Sequence, residues 1–267
     1  MRVNIPISVS SASSHRQVSL LSDKALTINW MPGTSSRLVI VFTGMKHGMG
    51  DISMSEFEHT VSLDGLNNLI FVADHNLGYY SLPGQRQAIV DTISRFIAEN
   101  GISETYAIGN SMGGFGALVL AGDLPIKASI AFSPSISLAP DWVNYPEWAT
   151  VRRRMGSEIA PDAQQVMATS DTRFYLFFGT RNKDDNRQRQ LLSDMVDRAN
   201  VTVVAAPGVG HNISKHIKGL GMLTDLVRSV FFDSEKKASA VVEQVATALK
   251  SASFAPPRSQ YPQTKDA

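Results

Sequence analysis

The sequence predicts an α/β fold: a mainly parallel central sheet with helices on both faces and an antiparallel amino-terminal edge. Two observations carry this. Short β-branched or aromatic blocks recur along the chain, beginning with Leu38–Thr43 (Leu-Val-Ile-Val-Phe-Thr), and they lack the apolar–polar alternation of a strand with one wet face. Between them run stretches with helical spacing, and strands that alternate with helices build a parallel sheet covered on both sides. At 267 residues the chain is long enough to bury the core of one such domain.

Taken in order, Asn4–Val9, Gln17–Leu21 and Ala25–Trp30 read as strands of the antiparallel edge. Leu38–Thr43 is the first fully buried strand, closed by Gly44, and Leu69–Ala73 is the next. Arg86–Ala98 is the clearest helix, with Ile89, Ile93, Phe96 and Ile97 on one face. Strands follow at Thr105–Gly109, Ala128–Phe132, Phe174–Phe178 and Val201–Ala206. The connection 133–172 is the longest without a strand, holds Trp142, Tyr145, Trp148 and the run Arg152–Arg154, and is read as a small lid insertion. Beyond position 211, apolar residues from Ile213 to Val230 mark one amphipathic helix, locally weakened by Gly219 and Gly221. The expected division is one domain over 1–232, followed by a helix at Glu235–Leu249 and a proline-bearing tail within 233–267.

The chemistry is concentrated where Gly109-Asn110-Ser111-Met112-Gly113 joins the strand Thr105–Gly109 to the helix-like run Gly114–Ala121. By composition alone G-x-S-x-G arises in roughly one chain of this length in ten, because each fixed position has a background near 7%. A strand-to-helix junction is the context in which the pattern has a mechanism. A sharp turn there lifts the serine hydroxyl to the sheet edge, and only small residues two before and two after let the turn close. A serine hydroxyl needs a base at neutral pH. Of six histidines, His211 follows the last strand in Pro207-Gly208-Val209-Gly210-His211-Asn212, on the same sheet end as Ser111. His15, His59 and His216 read as surface or helix residues. His47 and His75 follow central strands and read as pocket residues, since ligands of open α/β sheets bind at the strands' carboxyl ends. The base needs a carboxylate to fix its tautomer. The loop after Phe174–Phe178 offers two, Asp184 and Asp185. Neighbouring side chains diverge, so one is expected on His211, with Asp184 preferred, and the other at the cap of a helix starting near Asn186.

In this order, Ser111, then Asp184 or Asp185, then His211, the chain resembles the α/β-hydrolase superfamily across roughly Arg37–Phe232. The departure from that family is at the acid, often three residues past the strand's terminal glycine, where this sequence has Asn182. The resemblance implies a nucleophile elbow and an acyl-serine intermediate. One oxyanion donor is the backbone N–H of Met112. The second, from the resemblance, is Met45 N–H in Gly44-Met45, which stands where the family commonly has His-Gly-x. Gly44, His47, His75, Tyr79 and Tyr80 are expected to line the substrate pocket.

Composition narrows the rest. Lysine plus arginine number 25 against 24 acidic residues, a formal net charge of +1, which supplies no field to draw in nucleic acid or an anionic membrane. No cysteine is present, so disulfides, thiolate metal sites and cysteine nucleophiles are excluded. No P-loop, dinucleotide fingerprint or zinc spacing occurs. The expectation is a soluble, cytoplasmic enzyme without metal or organic cofactor, acting on a small acyl substrate, its oligomeric state open. Hydrolysis of a carboxylic ester or related acyl bond leads. An acyltransferase on the same residues and a non-catalytic binding module are the rivals.

Overall fold

The computed structural model describes residues 17–45, 57–142, 146–155 and 162–252. Eight strands form one sheet: β1 (Val18–Ser22), β2 (Leu26–Met31), β3 (Arg37–Phe42), β4 (Asn68–Asp74), β5 (Glu104–Asn110), β6 (Ile126–Phe132), β7 (Arg173–Gly179) and β8 (Val201–Ala206). Their spatial order is β1-β2-β4-β3-β5-β6-β7-β8. From β4 to β8 every pairing is parallel, while β1–β2 and β2–β4 are antiparallel. The expected parallel sheet with an antiparallel edge is therefore present. The segment Asn4–Val9 lies outside the described residues.

The helices are α1 (Glu58–Ser62), α2 (Gln85–Glu99), α3 (Met112–Val119), α4 (Pro146–Met155), α5 (Ala163–Thr169), α6 (Lys183–Gln190), α7 (Ile213–Gly219), α8 (Leu223–Phe232) and α9 (Glu235–Ala252). One face of the sheet packs against Ile89, Ile93 and Phe96 of α2, Phe115 and Leu118 of α3, and Ala163 and Met167 of α5. The other packs against Val61 of α1, Ile213 and Ile217 of α7, Leu226 and Val230 of α8, and Ala238, Val242, Val245 and Leu249 of α9. Strand residues with no wet face feed both layers: every residue of β4 is buried. Each fully buried Leu, Ile or Phe contributes roughly 1.5–3 kcal/mol, so these two layers supply the main driving force of the fold.

Three expectations about segments change. The single helix over Ile213–Val230 is two, broken at Leu220–Met222, where Gly221 has φ +74°; a left-handed residue ends α7 and lets α8 restart at a new angle. Helix α9 belongs to the core rather than to an appendage after position 232, because its apolar stripe is buried on the sheet. Within 133–172, α5 is also core, anchored by Asp162, whose carboxylate caps the N–H groups of Gln164 and Gln165. A lid can draw only on the part before it.

The topology fixes where a ligand belongs. The chain moves from β3 outward to β4, then returns past β3 to β5. Accordingly α1, after β3, covers one face and α3, after β5, covers the other. The crevice at the carboxyl ends of β3 and β5 is thus the topological switch point, the binding place of open α/β sheets.

Candidate active site

Ser111 stands at that crevice. Strand β5 ends at Asn110, helix α3 begins at Met112, and Ser111 between them adopts φ 56°, ψ −118°, outside both the helical and extended regions. Such a conformation costs on the order of 1–3 kcal/mol and persists only where its surroundings enforce it. They do so here by contact. A Cβ on Gly109 would overlap the Gly113 backbone, and a Cβ on Gly113 would overlap the Phe42 carbonyl at the end of β3. Glycine at both positions is therefore a steric requirement of the turn. Ser111 N–H donates to Phe132 O at 2.8 Å, and Phe115 N–H closes the first helical turn on Ser111 O at 3.1 Å. Met112, at the first position of α3, has no carbonyl one turn back within the helix to receive its N–H.

His211 reaches this region because the loop after β8 folds back over the end of β7. Thr180 N–H donates to Ala206 O at 3.1 Å and Arg181 N–H to Val209 O at 3.0 Å. A Cβ on Gly179 would overlap the Gly210 carbonyl, so the glycine that ends β7 gives the loop its path. Helix α7 then starts beside the elbow, where Ser214 Oγ donates to Asn110 Oδ1 at 3.4 Å. The imidazole is partly exposed, at 23%, and its Nδ1 lies 2.8 and 3.0 Å from the two carboxylate oxygens of Asp185, a side chain only 7% exposed.

The carboxylate on His211 is thus Asp185, whereas the sequence reading preferred Asp184. The reason lies in the helix start. Asn182 is the N-cap of α6, and its Oδ1 accepts from Asp184 N–H at 2.9 Å and Asp185 N–H at 3.1 Å. With the helix beginning at Lys183 rather than near Asn186, neither aspartate is needed as a cap, and consecutive positions are turned roughly 100° apart. Asp185 falls on the buried side and Asp184 on the exposed one. An asparagine placed three residues ahead of an aspartate is a cap signal readable in the sequence, and weighing it would have set this register.

The expected pocket residues separate. Gly44 is buried and Met45 half-buried directly beyond β3, with the Met45 side chain against the core layer of α2 and α3. His47 lies outside the described residues. His75 is exposed and turned toward the sheet edge, its Nε2 2.7 Å from Thr27 Oγ1 on β2 and its N–H on Ala25 O. It sits on the far side of β4 from the elbow, so it is not a wall of the crevice. Tyr80 is fully buried, and its hydroxyl donates to Thr43 O at 2.6 Å. Its ring meets Phe42 edge-on at 5.2 Å. It is a strut beneath the loop after β3, not a surface for substrate. Tyr79, 4% exposed, packs edge-on to Phe115 and is hydrogen-bonded to Ser135. Burial pushes its hydroxyl up to about 12, so it stays neutral.

Three further polar features were not anticipated. Thr43 and Ser133, buried at the ends of β3 and β6 on either side of β5, hold hydroxyls with no hydrogen-bond partner among the described residues. Gln188, on α6, bonds the loop after β6 four times. Among the described residues no three His, Asp or Glu side chains converge on a point that could hold a metal ion, and no helix is long and apolar enough to cross a membrane.

Comparison with known proteins agrees on architecture. No protein-family model matches the chain, and neither does any curated protein. Solved structures do. The chain is similar to the capsule O-acetyltransferase of Neisseria meningitidis serogroup A (TM-score 0.57, 13% identity, 76% of this chain and 93% of that one). It is similar to the fluorophosphonate-binding serine hydrolase F of Staphylococcus aureus (TM-score 0.55, 10% identity, 78% and 97%). A thermophilic esterase of Thermogutta terrifontis is a third (TM-score 0.55, 17% identity, 91% and 96%). With the strand order and edge described above, this defines the class: the chain has the α/β-hydrolase fold.

Proposed function

We propose that this protein is a serine hydrolase that cleaves a carboxylic ester or related acyl bond through an acyl-serine intermediate. The observation that carries the reading is the bond between His211 Nδ1 and the buried Asp185 carboxylate, on a loop that meets the elbow of Ser111. A buried carboxylate on Nδ1 holds the tautomer in which Nε2 carries the lone pair, the form a general base needs.

In this mechanism Nε2 of His211 takes the Ser111 hydroxyl proton as Oγ attacks the acyl carbon. The imidazolium is stabilised by Asp185 and returns the proton to the leaving oxygen or nitrogen as the acyl bond breaks. Water, deprotonated by the same imidazole, then attacks the acyl-serine, frees the acid and restores Ser111. The N–H groups of Met112 and Met45 receive the charge that develops on the carbonyl oxygen, each donor lowering the barrier by roughly 3–4 kcal/mol.

The second reading replaces water by an alcohol or amine acceptor in the second half-reaction. The O-acetyltransferase among the structural neighbours favours keeping it, since one fold and one acyl-serine step serve both outcomes. The test is turnover of short activated acyl esters by the wild type and by Ser111→Ala, with and without added alcohols. Hydrolysis that depends on Ser111 supports the first reading. Acyl transfer that outruns hydrolysis supports the second, and no Ser111-dependent turnover of any ester overturns both.

A further inference from the structure

Gln188 lies three residues beyond Asp185, on the same face of α6, and only 5% of it is exposed. Its carboxamide is fully engaged. Oε1 accepts from Ile136 N–H at 2.7 Å and Ser137 N–H at 2.9 Å, and Nε2 donates to Ser137 O at 3.1 Å and Trp142 O at 3.2 Å. Two backbone donors facing one oxygen and two carbonyls facing the nitrogen permit only this orientation of the amide. The loop held in this way runs on from Ser133 and Pro134 at the end of β6. Pro134 packs against Gly114 in the first turn of α3, where a Cβ on Gly114 would come within 3.0 Å of the proline ring. Next to Gln188, Arg187 Nη2 donates to Asp141 O at 2.7 Å, and its guanidinium lies 5.7 Å from the centre of the Trp142 ring. The helix that carries the carboxylate and the loop that borders the nucleophile elbow are thus joined through one buried side chain.

From this geometry we infer that Gln188 is a positioning residue, locking α6 to the loop after β6 so that Asp185 is held at the depth and rotation at which it meets His211. The inference rests on the proposed roles of Asp185 and His211. A hydrogen bond between a carboxylate and an imidazole loses strength steeply with angle and distance, and catalytic geometry tolerates displacements of only about half an ångström. Asp185 is on a helix of two turns capped by a single asparagine, so rotation of that helix is restrained chiefly where its far end is bonded. Gln188 provides the buried, four-bonded part of that restraint, beside the single bonds of Arg187 to Asp141 O and of Gln164 to Leu191 O.

The test is a double-mutant cycle on hydrolysis of an activated ester, with Gln188→Leu made in the wild type and in Asp185→Asn. If Gln188 acts through Asp185, Gln188→Leu lowers kcat about 10- to 100-fold in the wild type with KM nearly unchanged, and less than about threefold in Asp185→Asn, because the interaction it serves is already gone. Equal losses in the two backgrounds, or an unchanged kcat in the wild type, overturn the inference. Gln188→Leu leaves the buried Ile136 N–H and the part-buried Ser137 N–H without acceptors and can fail to fold. Gln188→Asn keeps a neutral amide with donors and acceptor but shortens its reach by one methylene, so the loop bonds are lost without burying a charge beside Asp185, and it is read in the same two backgrounds by the same criterion. Wild-type protein without Ser111-dependent turnover would instead count against the proposed function, so the two failures are distinct.

Discussion

Asp185, not its neighbour Asp184, places both carboxylate oxygens within 3.0 Å of His211 Nδ1. Replacing Asp185 with asparagine keeps the shape but presents a group that can hold the wrong imidazole tautomer. Turnover should fall by about 10⁴. Asp184→Asn, on the exposed side of α6, should stay within a few-fold of wild type. Steady-state kinetics of the two single variants on one activated ester decide the matter. A large loss in Asp184→Asn with a small one in Asp185→Asn would reverse the assignment.

His211→Ala should lower turnover by about 10²- to 10⁴-fold, the range for a lost general base, with little change in thermal unfolding, because it sits in a partly exposed loop. His75 is bonded to Thr27 across the sheet edge, away from the crevice. His75→Ala should therefore leave both kcat and substrate preference near wild type. A changed ester-length preference in His75→Ala would restore it as a pocket residue.

Tyr80→Phe removes the hydroxyl that donates to Thr43 O at 2.6 Å in a fully buried setting. The expected cost is about 1–3 kcal/mol of stability, since a buried carbonyl loses its donor, measured by denaturant unfolding. KM should move little. The opposite pattern, stability unchanged with KM raised, would make Tyr80 a substrate contact.

At the other end of the sheet, Glu104 pairs with Lys127 at 2.7 Å and Arg37 at 3.2 Å. The bond to Lys127 holds its carboxyl below its ordinary value; burial opposes it as the next largest effect, and Arg37 and Tyr106 add smaller downward contributions. A depressed folded value means stability that is present above the unfolded carboxylate range, near about 4.3, and lost as pH falls through the folded value. With the side chain 30% exposed, solvent screening limits the contribution to about 1 kcal/mol or less. Glu104→Gln should thus be slightly less stable than wild type at pH 7, and the gap should close below about pH 4. A gap that widens in acid would contradict this.

The centre of the sheet was readable because β3 to β7 are buried on both faces, and their apolar blocks leave a signal that survives without knowledge of neighbours. The elbow was readable because sterics at Gly109 and Gly113 admit no other residue. What escaped were features set by tertiary contact. Tyr79 and Tyr80 look like loop aromatics in sequence, and only the packing of the loop against β3 and α3 buries them. His75 follows a strand end as a pocket residue would, but the antiparallel β2 beside β4 supplies its partner. The choice between Asp184 and Asp185 turned on one residue of helix register, which the Asn182 cap decides. Gln188 carries no motif, and its role follows from which backbone groups fold onto it.

The central claim is that the environment of Ser111 activates its hydroxyl, and intact-mass analysis after exposure to a fluorophosphonate probe tests it most directly, before any substrate is known. One adduct per chain is expected, located on Ser111, absent in Ser111→Ala and formed far more slowly in His211→Ala. Folded wild-type protein that stays unmodified over hours at neutral pH, or an adduct that persists in Ser111→Ala, would contradict it.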